Sequence, residues 1–381
     1  MAYSDPKAES RALNPESRRA FLKGLLAAGA GLCYSPVFGQ DPTPSRRIAM
    51  ELLNDHPSID VHAHPGRFHR DGRRVEERIA EMTEAGITAS FFSVSTDRAV
   101  IRRDPEVGRL RAYRRFEPGE SYSDTYSRFA VLDAWFQDGR LTPILAPDDI
   151  QRARRSKRPG ALRAAEGADF LEGRLEHVQE AYERGIRCIQ LVHYNINEVA
   201  DIQTEEPKHN GLTDFGKQVI REMNRLGMIV DVAHATEKVT RDVARITTQP
   251  IILSHSALRR KPRPYTRLIY AEHAKIVTET NGLIGIWPAG KGDLDRWVRR
   301  FQRLADLVGP QYLALGTDMD GLRNTVFGDY RELPDFAAAL LDAGFSRNET
   351  VGIVGGNFMR VFREVAATAT TGDGRSRTKG S

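Results

Sequence analysis

At 381 residues, with 40% hydrophobic and 28% charged residues, the chain has enough apolar material to bury a sizeable core, which sets disorder aside as the default. The formal net charge is +5, and residues 1–40 contribute five Lys/Arg (Lys7, Arg11, Arg18, Arg19, Lys23) against three acids (Asp5, Glu9, Glu16). Outside short basic runs at 152–158 and 259–263 the cations are interspersed with acids, so no nucleic-acid partner is expected.

The first feature in chain order is Ser17-Arg18-Arg19-Ala20-Phe21-Leu22-Lys23, followed by the Ala/Gly-rich apolar run 24–32. This resembles a twin-arginine signal, which implies passage through the twin-arginine export machinery and a periplasmic or extracellular destination. The apolar run is too short to span a bilayer. Cleavage near Gly39-Gln40 is expected, making residues 1–40 a signal peptide. A lipid anchor on Cys33 has little support, because Leu32 stands where a small residue is wanted. Removal of Cys33 would leave Cys188 as the single thiol, so no intrachain disulfide is expected, and its apolar surroundings read as core.

From there short β-branched runs alternate with segments of helical period, the pattern of repeated β/α units. Strands are predicted at 59–64, 87–94, 161–166, 186–193, 229–234, 251–255, 283–287 and 313–318. Helices are predicted at 75–85, 171–184, 215–226, 238–245, 269–281 and 294–308, with Gly86, Gly185, Gly227 and Gly309 at stop positions. A further helix is expected at 123–136 inside an irregular excursion, 97–151. Eight strands in this rhythm predict an α/β fold, a (β/α)8 TIM barrel of the metal-dependent hydrolase type over residues 41–366. The Thr/Gly/Arg-rich stretch 367–381 reads as a disordered tail.

Five of the ten histidines, His62, His64, His193, His234 and His255, fall at predicted strand ends. In a β/α barrel those ends converge on one mouth. Imidazoles gathered there, with a carboxylate such as Glu166 able to bridge two ions, form a donor set for divalent metal. Alternation along the first strand places Asp60, His62 and His64 on one face.

The ordered motifs Asp60-Val61-His62, Glu166-Gly167, Asp231-Val232-Ala233-His234, Ile251-Ile252-Leu253-Ser254-His255-Ser256, Gly316-Thr317-Asp318-Met319-Asp320-Gly321 and Gly355-Gly356-Asn357-Phe358-Met359-Arg360-Val361-Phe362 resemble the membrane dipeptidase (renal dipeptidase) family over roughly residues 50–366. The resemblance implies a zinc-dependent dipeptidase. In it two divalent ions, expected to be Zn2+, sit on His62, Glu166, His234 and His255, with Glu166 bridging, and a hydroxide shared by the ions attacks the peptide bond. It also implies His193 against the substrate carbonyl, Asp318 near the leaving amine, Arg267 as the carboxylate clamp with Arg259 and Arg263 as alternatives, and a homodimer.

One departure is His64, where the family usually has Asp. An imidazole still ligates zinc but leaves the site one unit more positive.

The same His62-x-His64 opening suits other amidohydrolase-type barrels acting on lactones, cyclic amides or phosphoesters. An exported binding protein on a degenerate barrel is disfavoured by the intact donor set. No His-Glu-x-x-His pattern supports a thermolysin-like protease, and no Gly-x-Ser-x-Gly elbow supports a serine hydrolase.

Overall fold

The computed structural model describes residues 42–68, 74–259, 261 and 263–369; the signal-peptide motif lies outside them. The chain from Thr43 onward forms one compact unit. Its main sheet runs in the order β1 (Ile59–Asp60), β2 (Ala89–Ser95), β6 (Gly160–Glu166), β7 (Ile186–Gln190), β8 (Ile229–Asp231), β9 (Ile252–Ser256), β10 (Leu283–Ile286) and β11 (Leu313–Leu315), all parallel. The ring closes between first and last strands: Val61 N–H donates to Leu315 O at 2.9 Å, Asp318 N–H to His62 O at 2.8 Å and His64 N–H to Met319 O at 2.9 Å. All eight predicted strands are present, and the architecture is the predicted barrel.

Two short strands, β3 (Ile101–Arg103) and β4 (Leu110–Ala112), form an antiparallel hairpin inside the excursion, and β5 (Thr142–Pro143) pairs beside β6. The predicted helices at 75–85 and 294–308 occur as Val75–Ala85 and Leu294–Val308. The helix predicted from 171 begins only at Glu176, because Glu172 and Gly173 take φ of 49° and 69° and break the turn Asp169–Leu171 from Glu176–Glu183. At the other end the last helix, Asn357–Thr368, takes in Ala367 and Thr368, two residues of the predicted tail. Val365 on that helix is fully buried, and its contacts carry the helix past the point where apolar periodicity stops. Residues 370–381 lie outside the described residues.

Inward side chains of the strands, including Ile59, Phe91, Leu162, Cys188, Ile229, Ile252 and Ala314, make an interior core, to which the last helix adds Phe358, Met359 and Phe362. Cys188 is therefore the packed thiol expected, and burial pushes its pKa well up. A larger shell lies between strands and helices. The backbones approach so closely that a Cβ on Gly285 would stand 1.8 Å from the Ser254 carbonyl oxygen, and one on Gly316 2.0 Å from the same atom. Glycine is required there by space, not by turn geometry.

The last helix plugs the barrel floor through Phe358, which meets Phe91 edge-on at 5.3 Å. Phe358→Ala should cost about 3–5 kcal/mol by leaving a cavity. Denaturant unfolding should show the loss, while the imidazole NMR signals at the opposite end stay in place.

Candidate active site

At the other end of the barrel the strands deliver their polar residues. Five imidazole Nε2 atoms converge on Glu166, which ends β6. His62, His193, His234 and His255 lie 3.3, 3.4, 3.6 and 3.9 Å from its Oε1, and His64 lies 3.5 Å from Oε2. Asp318 Oδ1 stands 3.4 Å from His64 and 3.9 Å from His62. All are buried, Glu166 to 3% exposure and Asp318 to 9%, so these groups are largely withdrawn from bulk solvent. The structure thus brings together His62, His64, Glu166, His193, His234, His255 and Asp318, from positions more than 250 residues apart in the chain. Arg267 reaches the same cluster, its Nη2 3.0 Å from His255 Nε2. Arg259 donates Nε to the Lys261 carbonyl, and Arg263 is exposed; neither reaches the cluster. Asp60 does not join it either. It sits beneath His62, accepting from Thr317 N–H at 2.9 Å and Tyr330 Oη–H at 2.9 Å.

The other side of each ring fixes its proton. His64 Nδ1 lies 2.9 Å from the Ser93 carbonyl, His234 Nδ1 3.0 Å from the His193 carbonyl, and His193 Nδ1 2.7 Å from Asp97 Oδ1. These partners only accept, so Nδ1 carries the hydrogen, and in the neutral ring Nε2 is a bare lone pair. At His255 the same follows from the mouth side, because the Arg267 guanidinium can only donate to its Nε2. Yet His234 Nε2 and His255 Nε2 stand 3.1 Å apart, two lone pairs facing each other. Protonating His234 is no remedy: burial, then the Arg267 charge, holds its pKa well below the usual value. His62 Nε2 is buried without a hydrogen-bond partner. In their neutral forms these imidazoles would turn converging lone pairs on a buried carboxylate, which is the donor chemistry of a divalent cation. Among the described residues three groups have ligand atoms within 4.8 Å of one another: His62, Glu166 and His255; His62, His64 and Asp318; and Glu166, His193 and His234.

The electrostatics agree. Burial alone would raise the pKa of Glu166, but His193, His64 and His62 around it hold it well below the ordinary carboxylate range. Ser95 Oγ–H donates to its Oε2 at 2.6 Å. His234 and Asp318 hold left-handed backbone, φ 67° and 51°, which for non-glycine residues costs of order 1–3 kcal/mol each. The turn at Asp318 is braced from behind, where Asp320 accepts from Arg78 Nε at 2.9 Å and Nη2 at 3.0 Å and from Gly66 N–H at 2.8 Å. Asp320 thus braces the loop that carries Asp318.

Against this geometry the comparisons with known proteins can be set. The model of the membrane dipeptidase family (peptidase family M19) matches residues 46–376. The chain belongs to this family. It is 32% identical over 273 residues to Dipeptidase aclJ of Aspergillus oryzae, covering 66% of this chain and 64% of that protein. With Dipeptidase 3 of Mus musculus the identity is 28% over 218 residues, covering 54% and 44%. The chain thus spans less than two thirds of the length of the curated relatives it matches. Among solved structures, the probable dipeptidase PvdM from Pseudomonas aeruginosa aligns with a TM-score of 0.73 at 18% identity, covering 86% of this chain and 100% of that one. A metallo peptidase from Rhodobacter sphaeroides, liganded with a phosphinate mimic of the dipeptide L-Ala-D-Ala, aligns at 0.69 and 18%, covering 81% and 99%. At such identity these two likenesses bear on the fold alone.

Sequence reasoning passed over Asp97, Ser95, Tyr194, Gln203 and Trp287. Asp97 had a signal: it follows the second predicted strand at the mouth. Its second oxygen accepts from Tyr194 N–H at 2.7 Å, so one carboxylate fixes both His193 and the turn after it. Gln203 Oε1 accepts from Arg267 Nη1 at 3.0 Å, and the Arg267 guanidinium lies 5.4 Å over the Trp287 ring.

In the metal-free protein, burial works against charging His193, but Asp97 and Glu166 outweigh it and lift its pKa from 6.5 to about 9. A raised histidine pKa stabilises the fold below the unfolded value, and that contribution disappears as pH rises from 6.5 through about 9. Asp97→Asn should move the His193 titration, followed by imidazole NMR on metal-free protein, downward and shrink the loss of stability across that window.

Proposed function

We propose that this chain is a metal-dependent dipeptidase that hydrolyses the peptide bond of a free dipeptide. The observation that carries the reading is the set of strand-end imidazoles turned through Nε2 on Glu166, joined to a guanidinium one hydrogen bond away. His62, His64, Glu166 and Asp318 would hold one divalent ion, and Glu166, His234 and His255 a second, zinc being the natural choice for imidazole and carboxylate donors. When bound, such ions supply the positive charge that makes water a nucleophile at neutral pH and polarises a carbonyl.

The protein's own groups then divide the rest. His193, whose charged form Asp97 favours, would present Nε2–H to the substrate carbonyl oxygen, where negative charge grows during attack. Losing one donor of this kind costs about 2.7–4 kcal/mol of barrier. Asp318, beside His62 and His64, takes a proton from the attacking water and returns it to the leaving nitrogen. Arg267, steered by Gln203, receives the substrate carboxylate at the far side of His255. The burial of the cluster excludes bulk water, which strengthens each of these interactions. Other amidohydrolase chemistry is not favoured, since nothing in a lactone or phosphoester calls for a carboxylate clamp.

His64 supports metal binding in a different charge state from the Asp usual in the family, with no loss of a ligand atom. Export by the twin-arginine route is part of the proposal, supported by Arg18-Arg19 and the apolar run behind them. Assembly as a homodimer rests on the family resemblance.

Purified protein should cleave members of a panel of L-L and L-D dipeptides, lose activity on chelation and regain it with zinc; metal-loaded protein inert to the whole panel would sink the substrate assignment. Metal analysis should find two ions in the wild type, fewer in His64→Ala and two again in His64→Asp. In the producing cell, Arg18→Lys with Arg19→Lys should leave the protein in the cytoplasm if export follows this route.

A further inference from the structure

The excursion that follows β2 does more than decorate the barrel edge. In the ring of eight strands β2 and β9 are four places apart, on opposite sides of the mouth, and β7 stands midway between them. Side chains of the hairpin β3–β4 nevertheless meet the loops that leave both β7 and β9. The Arg109 guanidinium stacks on the Tyr265 ring at 4.7 Å, and Tyr265 Oη–H donates to Glu206 Oε2 at 2.7 Å. Arg111 Nε donates to Glu205 Oε1 at 3.2 Å. The excursion from β2 and the loops from β7 and β9 thus meet through their side chains although they leave the ring at different places.

The hairpin is itself stiff. Its ladder pairs Ile101 with Ala112 and Arg103 with Leu110, and Asp104 accepts from the Glu106 and Val107 amides at 2.8 and 3.2 Å. Its partners are set just as firmly relative to the site. Gln203, which steers Arg267, is two residues before Glu205, and Arg267 is two residues after Tyr265. The loops from β7 and β9 are therefore joined twice: at Gln203–Arg267 beside His255, and again at Glu206–Tyr265, where the hairpin lies across them.

We propose that Arg109, Arg111, Tyr265, Glu205 and Glu206 form a clasp that closes the carboxylate end of the site, so that a peptide must terminate at its second residue to be accepted. The inference rests on the dipeptidase reading and names the structural reason for its length limit. A dipeptide ends at Arg267. A tripeptide cleaved at the same bond would have to carry a third residue past Arg267, into space held by the stacked Arg109 and Tyr265 side chains. The clasp consists of half-exposed or exposed surface side chains outside the metal and proton-transfer groups, so it can be opened without dismantling them.

The test compares kcat/KM for Ala-Ala and for Ala-Ala-Ala cleaved after its first residue, in the wild type, Arg109→Ala, Tyr265→Ala and Tyr265→Phe, each with its thermal melt recorded. The clasp predicts a wild type confined to Ala-Ala, Arg109→Ala and Tyr265→Ala gaining tripeptide cleavage on the order of tenfold with dipeptide cleavage little changed, and Tyr265→Phe in between, since it keeps the stacking and loses only the Glu206 bond. A wild type that cleaves both peptides alike, or alanine variants that fold, cleave Ala-Ala and still refuse Ala-Ala-Ala, would overturn the clasp and leave the hydrolase reading standing. A wild type inert to both peptides would overturn both.

Discussion

Everything at the mouth depends on a single electrostatic problem: a buried carboxylate, Glu166, ringed by five imidazoles whose nitrogens point at it and partly at one another. Placing one unpaired polar group in such surroundings costs several kcal/mol, and placing lone pairs face to face adds to that. The arrangement can persist only if something positive completes it. Protons can do so in part, which is why His193 is held charged in the metal-free state, but between His234 and His255, 3.1 Å apart, burial and the nearby Arg267 charge oppose that remedy. Cation binding is thus built into the donor set itself.

The barrel solves the companion problem of aiming the rings. Three of the Nδ1 atoms are held by an element from another strand: His64 by the carbonyl of Ser93 on β2, His193 by Asp97 just beyond β2, and His234 by the carbonyl of His193 after β7. Ring tautomer and strand register are therefore the same fact. A one-residue slip of β2 against β1 would remove the acceptor of His64 as well as a row of ladder bonds. This coupling explains why the left-handed backbone at His234 and Asp318 is tolerated: the hydrogen bonds around each turn outweigh its local cost.

Much of this was legible in the chain because parallel strands buried on both faces read as unbroken apolar runs, and a polar residue closing such a run stands out. His62, Glu166, His234 and His255 were found that way. Asp97 was not, since it opens a long excursion where pattern gives no register. The hairpin was invisible for a similar reason: strands of three residues, rich in arginine, show no alternation to read. The helix Pro147–Ser156 carries Arg152, Arg154 and Arg155 and little apolar surface, and so escaped a search keyed to apolar period. Conversely, the predicted strands at 186–193 and 229–234 run past their ladders, because their last residues leave the sheet to turn histidines inward.

What pattern could not supply is division of labour between the core of the mouth and its rim. The ligand cluster belongs to strand ends, where position is dictated by backbone hydrogen bonding and tolerates little change. The rim belongs to loops whose contacts are long-range and side-chain mediated, such as Arg109 on Tyr265. Chemistry and selectivity are thereby carried by parts of the molecule with different constraints, so one can change without the other. His64 marks the boundary between them. It sits among the strand-end groups, with its Nδ1 anchored like its neighbours, yet it alters the charge presented to whatever enters from the rim. Replacing a carboxylate by a neutral ring leaves Glu166 and Asp318 as the anions nearest the metal positions, against Arg267 and an arginine-rich hairpin overhead. The field at the mouth is then biased towards an anionic group, and on the proposed function a substrate carboxylate at Arg267 would gain from it.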